Sequence, residues 1–275
     1  GADAGADRGA FAYEENIFYV SAGGSDSADG LSAGQAWKTI ARAMQDLEAG
    51  DTLYIEPGTY AGSIEISLAG SEEEPIVIRG RGKEPAVIDG ETSLTDSRHL
   101  LFERIHFKAD VSVSDSDALS FHNSVFLGQG TALTATNTAN LQVTQSTFTG
   151  FETAAVSLPC CVAAHLAGNL FDNQGGPALR VSSRETVRYC DYNSYADMQH
   201  GWQLGENAAF TLEEIRAGHD RASKEIIPQF SDSGGSVTLD NAIDFAGGGT
   251  AGHPFGHYRL EIPREVLQLL EGPTL

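Results

Sequence analysis

Five stretches of this chain repeat one another, and that repetition restricts the fold more than any other feature. When LLFERIHF, LSFHNSVF, LQVTQSTF, AHLAGNLF and TVRYCDYN are set in register, an aromatic ring falls in one column at Phe107, Phe126, Phe148, Phe171 and Tyr192. A second column, five residues earlier, holds Phe102, Phe121, Val143, Leu166 and Val187. Units of about 20 residues are too short to bury an apolar face alone, so they stack and share one continuous core. Two inward columns per unit predict two short strands joined by a turn, and hence an all-β solenoid, a parallel β-helix, over residues 76 to 195. Gly80, Gly90, Gly128, Gly150 and Gly175 fall in the intervening turns, where a positive φ is cheap for glycine.

The flanks read differently. A strand at Ile17 to Ser21 enters a Gly/Asp/Ser turn that ends at Gly30. Trp37, Ile40, Met44 and Leu47 then recur at helical spacing, which predicts one amphipathic helix. Thr52 to Glu56 reads as a strand, and Pro57-Gly58-Thr59-Tyr60 as the turn that follows. Beyond the repeats, Thr211 and Glu214 form a capping-box pair that predicts a helix from about 212 to 217. Val266, Leu267, Leu269 and Leu270 suggest a last short helix. The chain therefore divides into a leader (1–16), an N-terminal strand and capping helix (17–62), β-helix rungs (63–195) and an irregular C-terminal cap and tail (196–275).

The run YVSAGGSDSADGLSAGQAWKTIARAMQDLEAGDTLYIEPGTY, residues 19 to 60, resembles the opening of bacterial right-handed parallel β-helix proteins of the pectate-lyase-like, polysaccharide-lyase-related superfamily. TLEEIRAGHDRASKEIIPQF and AIDFAGGGTAGHPFGHYR resemble the tail of the same family, including a glycine-rich return along the barrel. The resemblance implies a right-handed helix with an N-terminal capping helix and short C-terminal helices. It also implies a secreted location, extracellular or at the cell surface. It does not imply one chemistry, because the family spans lyases, hydrolases, epimerases and proteins without known activity.

Charge narrows the partners. Acidic side chains number 38 against 17 basic ones, for a formal net charge of −21. Such a field repels nucleic acid, anionic membrane surfaces and polyuronate chains unless cations intervene. No apolar run approaches the ~20 residues needed to span a bilayer, so membrane insertion is not expected. Three cysteines, Cys160, Cys161 and Cys190, are too few for a disulfide framework.

A lyase needs a base to remove the proton α to a carboxylate, and often a calcium ion to acidify that proton. If Ile105 and Phe107 point inward, Arg104, His106 and Lys108 alternate outward on one strand, and they are the candidate catalytic cluster. His122, Asp172, Arg180, Arg184 and Arg188, on later rungs, are candidates to line the same groove. No cofactor is required by the sequence; calcium is the candidate, at Asp110, Asp115 and Asp117, although these residues do not match an EF-hand template. His253 and His257 lie four apart with Pro254 between them, which opposes a helical metal pair. The motifs of the family's hydrolase branch are not found.

Two functions of different class follow. One is a noncatalytic module that binds an extracellular glycan or builds a surface assembly, with head-to-tail homo-oligomers or filaments expected because a β-helix leaves unpaired backbone at its ends. The other is a polysaccharide lyase or epimerase-like enzyme centred on Arg104, His106 and Lys108. The small number of rungs, the missing catalytic motif and the charge favour the noncatalytic reading.

Overall fold

The computed structural model describes residues 16–196 except 173 and 174, and beyond them 198, 200–205, 208–216 and short strands at 224–225, 230–232, 237–239 and 261–262. The leader, His253, His257 and the expected helix around 266–270 lie outside the described residues.

The repeats wind into three 8-stranded sheets. In each turn the chain runs through a strand of sheet A (Arg98–Glu103 in one rung), a strand of sheet B (Ile105–Phe107) and a strand of sheet C (Val111–Ser114) before returning to A one rung higher. Leu100, Phe102, Leu119, Phe121, Ile105, Phe107, Leu94 and Val113 all point inward and are almost wholly buried. Pairing within the rungs is parallel; the exception is the strand Ala208–Phe210, which runs antiparallel to Trp202–Leu204.

The aromatic column is a real stack. Phe107, Phe126, Phe148 and Phe171 lie in register across sheet B, with successive ring centroids 5.1, 4.5 and 5.2 Å apart. Its last member is Tyr195, 5.5 Å from Phe171, and not Tyr192. The second column is corrected in the same way: Leu166 pairs with Cys190, while Val187 pairs with Ala164. Tyrosines at 189, 192 and 195 offer equally spaced alternatives, and a register shift opposite Ala164/His165 adds a residue to this rung. Tyr192 instead takes the left-handed kink between sheets A and B, at φ 59°.

That kink recurs at Arg104, Asn123, Gln145 and Gly168. It is made mainly by residues other than glycine, each of which carries a steric cost that the surrounding register must overcome. A side-chain ladder beside the kink contributes to holding it. The N–H of Ile105 donates to Ser124 Oγ, that of Ser124 to Ser146 Oγ, that of Ser146 to Asn169 Oδ1, and that of Asn169 to Asn193 Oδ1. Each rung satisfies a buried donor of the rung before it.

Of Gly80, Gly90, Gly128 and Gly150, Gly150 alone has a positive φ, at 78°. Gly80 is needed for a different reason: a Cβ there would lie 2.0 Å from the backbone oxygen of Arg104. Gly80→Ala is therefore expected to lower unfolding free energy by about 1–3 kcal/mol through overpacking, read from urea denaturation.

At the N-terminal end the helix is shorter than the spacing predicts: it runs only over Ile40–Ala43, and Trp37 is extended in a parallel bridge with Val20. Trp37 lies along the first strand, Ile17–Val20; its N–H donates to Tyr19 O and its carbonyl accepts from Ser21 N. Phe18 stacks on its ring at 5.1 Å. The helix Ile40–Ala43 is capped by Thr39 Oγ1 and buries Ile40, with Leu47 buried just beyond it. At the other end, Thr211 and Glu214 form the expected reciprocal capping box at the start of the helix Leu212–Arg216.

Candidate binding face on the third sheet

Arg104, His106 and Lys108 do not form one outward row. Arg104 occupies the kink, and its guanidinium donates to the Gly82 carbonyl. Lys108 is exposed beyond the strand and pairs with Asp89 at 3.3 Å. His106 does point away from the core, yet it is only 5% exposed, and burial pushes its imidazole down to about 4. The cause is regional. Val125, Thr147, Leu170 and Ser194, in register with His106 on the outside of sheet B, are buried too. Alternation along a strand tells which side a residue faces, but not whether that side meets water.

The other candidates are dispersed over three faces. His122 lies on sheet A, where its Nδ1 is 2.9 Å from Thr144 Oγ1 and burial holds its imidazole below the usual range. Its neighbours there are charged, with Glu103 bound by Arg79 at 2.6 Å. Asp172 is buried on sheet B. Arg184 lies over the Phe210 ring at 5.2 Å, and Arg188 is exposed at the irregular rung.

The carboxylates proposed for calcium are engaged separately. Asp115 Oδ1 accepts from Asn137 Nδ2 at 3.2 Å, Asp117 Oδ1 from Asn140 Nδ2 at 2.8 Å, and Asp110 from Gly130 N at 3.4 Å. The two Asp–Asn pairs bridge successive corners between sheets C and A. Among the described residues, no group of three His, Cys, Asp or Glu is placed to hold a metal ion. No helix among them is long and apolar enough to cross a membrane.

Arg184 borders a small cavity with Trp202, Leu204, Phe210 and Ile215, whereas Arg180 stands at a larger, open groove. Strands of sheet C place small polar residues outward, Ser93 and Thr95 in TSLT (92–95), Ser112 and Ser114 in VSVS (111–114), and Thr134 and Thr136 in TALTAT (131–136). Register aligns the outward positions into a row through Ser93, Ser112, Thr134, Ser157, Arg180 and Gln203. A second row lies two residues further along each strand, beginning with Thr95, Ser114 and Thr136. At the C-terminal end of the rows is a groove of about 450 Å³, lined by Ser157, Pro159, Arg180, Ser182, Gln203 and Gly205. Arg180 Nε donates to Gln203 Oε1 at 3.0 Å, and its terminal nitrogen donates to Thr153 O at 3.3 Å. These two bonds fix the guanidinium plane at the groove and leave its other donors uncommitted.

This face went unread in the sequence because serine and threonine carry no distinctive chemistry. The signal that could have found it is the hydroxyl at every second position of the segments between the aromatic blocks.

No family model matches the chain. Among curated proteins, the uncharacterized protein YwoF of Bacillus subtilis (strain 168) is 32% identical over 99 residues, covering 36% of this chain and 21% of that protein. The chain thus spans about a fifth of that relative's length. Among solved structures, a mannuronic acid specific polysaccharide family 6 lyase from human gut microbiota is similar at 15% identity and a TM-score of 0.49, covering 68% of this chain and 51% of that one. Pectate lyase Pel9A is similar at 14% and 0.45, covering 70% and 72%, and a rhamnogalacturonan lyase at 11% and 0.41, covering 67% and 68%. At these values the strand order and register carry the assignment. On them, the chain is an all-β parallel β-helix of three sheets.

Proposed function

We propose that this chain is an extracellular, noncatalytic β-helix module that binds a glycan in the groove at Ser157, Arg180, Ser182 and Gln203. The observation that carries the reading is the pinned guanidinium of Arg180, set among hydroxyl and amide groups at an open groove of about 450 Å³. Sugar hydroxyls are both donors and acceptors, and a fixed array of this kind can hydrogen-bond several at little entropic cost.

The base positions expected for a lyase give that alternative no comparable support. His106 is buried on sheet B, Lys108 is held by Asp89 and Arg104 is held by Gly82. None of the three shares the groove with Arg180.

Affinity electrophoresis through gels containing soluble neutral glucans, mannans, xylans or galactans, and in parallel polygalacturonate, tests the reading. At least one polysaccharide is expected to retard the chain, and Arg180→Ala is expected to weaken that retention about tenfold, or ~1.4 kcal/mol. No retardation by any of them would overturn glycan binding. Release of unsaturated products that Lys108→Ala abolishes would restore the lyase.

A further inference from the structure

The groove occupies only the end of a longer surface. The two outward rows of sheet C continue from it through the rungs of Thr134, Ser112 and Ser93, and every one of these positions is at least partly exposed. Six adjacent strands at a spacing of ~4.8 Å extend the face over about 24 Å. Its side chains are short hydroxyls over most of that length. Thr95 Oγ1 and Ser114 Oγ, in adjacent rungs, lie 3.2 Å apart, so neighbouring hydroxyls are close enough to bond the same ligand atom from two sides.

The face is also free of charge over most of its length. From Ser93 to Gln203 the rows contain one ionisable side chain, Arg180, and the first row continues beyond Ser93 to an exposed carboxylate, Glu65, in a chain whose formal net charge is −21. Sheet A differs: its outer face carries Arg79, Glu103 and His122 in adjacent rungs. A polyuronate laid along sheet C would bring a carboxylate at every sugar to a surface with a single cation, inside a strongly negative field. An uncharged chain meets no such penalty, and its hydroxyls match those of the rows.

We infer that sheet C binds an uncharged polysaccharide along several rungs, with the Arg180 groove as one end of an extended site. This inference rests on the glycan-binding reading above and adds to it the ligand's charge class and length. Specificity here is exclusion by charge: a single cation, Arg180, over six rungs disfavours acidic polymers.

The test uses the full chain and whichever neutral polysaccharide retards it most, with the disaccharide and hexasaccharide derived from it, and polygalacturonate as the acidic probe. Ser112 stands three rungs from Arg180 and is exposed, so Ser112→Glu and, as a second variant, Thr95→Glu place a carboxylate on the face far from the groove. Isothermal titration is expected to show tighter binding of the hexasaccharide than of the disaccharide. Each variant is expected to weaken the hexasaccharide about tenfold while leaving the disaccharide unchanged, with an unaltered thermal midpoint showing that the fold is intact. Unchanged hexasaccharide affinity in both folded variants, or polygalacturonate bound as tightly as the neutral polymer, would overturn the inference and leave groove binding standing. Absence of binding to every glycan would remove the underlying reading, and this one with it.

Discussion

Phe148→Ala is expected to lower the unfolding free energy by about 3–5 kcal/mol, the range found for a large aromatic removed from a close-packed core. Phe148 is fully buried, and its ring stacks on that of Phe126, 4.5 Å away at an interplanar angle of 2°, with Phe171 on its other face. The rungs that flank it are held in register by parallel ladders on both sides, so they cannot close in on the space left behind. Relaxation is what makes such truncations cheap, and here there is little. Tyr192→Ala supplies the contrast. It sits at the kink, half-buried and outside the stack, and is expected to cost much less. Urea denaturation of both variants checks the pair. Comparable losses, or a Phe148→Ala loss below that of Tyr192→Ala, would contradict the register described above.

Acid is expected to destabilise the fold through His106. Its imidazole is pushed from the usual 6.5 to about 4 by burial, so the folded state keeps it neutral where the unfolded chain has already taken up a proton. Above 6.5 both states are neutral and no penalty exists. Between 6.5 and about 4 the unfolded state binds more protons, and stability falls with falling pH by up to ~1.4 kcal/mol per unit, or about 3 kcal/mol over the window. Below about 4 both states are protonated and this contribution becomes flat. His122 is shifted in the same direction, also chiefly by burial, and adds to the slope. Unfolding midpoints measured from pH 7.5 down to 4 should show His106→Gln with a shallower dependence than the parent chain. Equal slopes would mean that His106 is not kept neutral by its surroundings.

What the sequence made legible was the part of the fold that depends on large apolar side chains. Phe107, Phe126, Phe148 and Phe171 recur at a nearly constant interval because each must meet its neighbour's ring, and little else fills that volume. The reading slipped by three residues at the last rung, where Tyr189, Tyr192 and Tyr195 all offer an aromatic. Asn193 would have decided it, since it continues the position of Asn169 and leads directly to Tyr195. The site was less legible for a different reason. Histidine, lysine and arginine draw attention by their chemistry, but their value depends on which face they occupy and what covers it. His106 lost the access to water that strand parity had suggested and Asp172 is buried as well, whereas Arg180 stands at an open groove. The hydroxyl rows beside Arg180 become visible only when strands distant in sequence are placed side by side.

The serine and asparagine ladder gives the solenoid a polarity along its axis. Every donor in it is answered from the rung that follows in the chain, from Ile105 through Ser124, Ser146 and Asn169 to Asn193. Removing the final rung thus strips the acceptor from the rung before it, while removing an initial rung strips nothing from those that remain in this ladder. Pulled mechanically from its two ends, the barrel is expected to unravel asymmetrically: each rung peeled from the C-terminal side leaves the next with a buried N–H unmatched and weaker than before, so that unwinding from that side accelerates once begun.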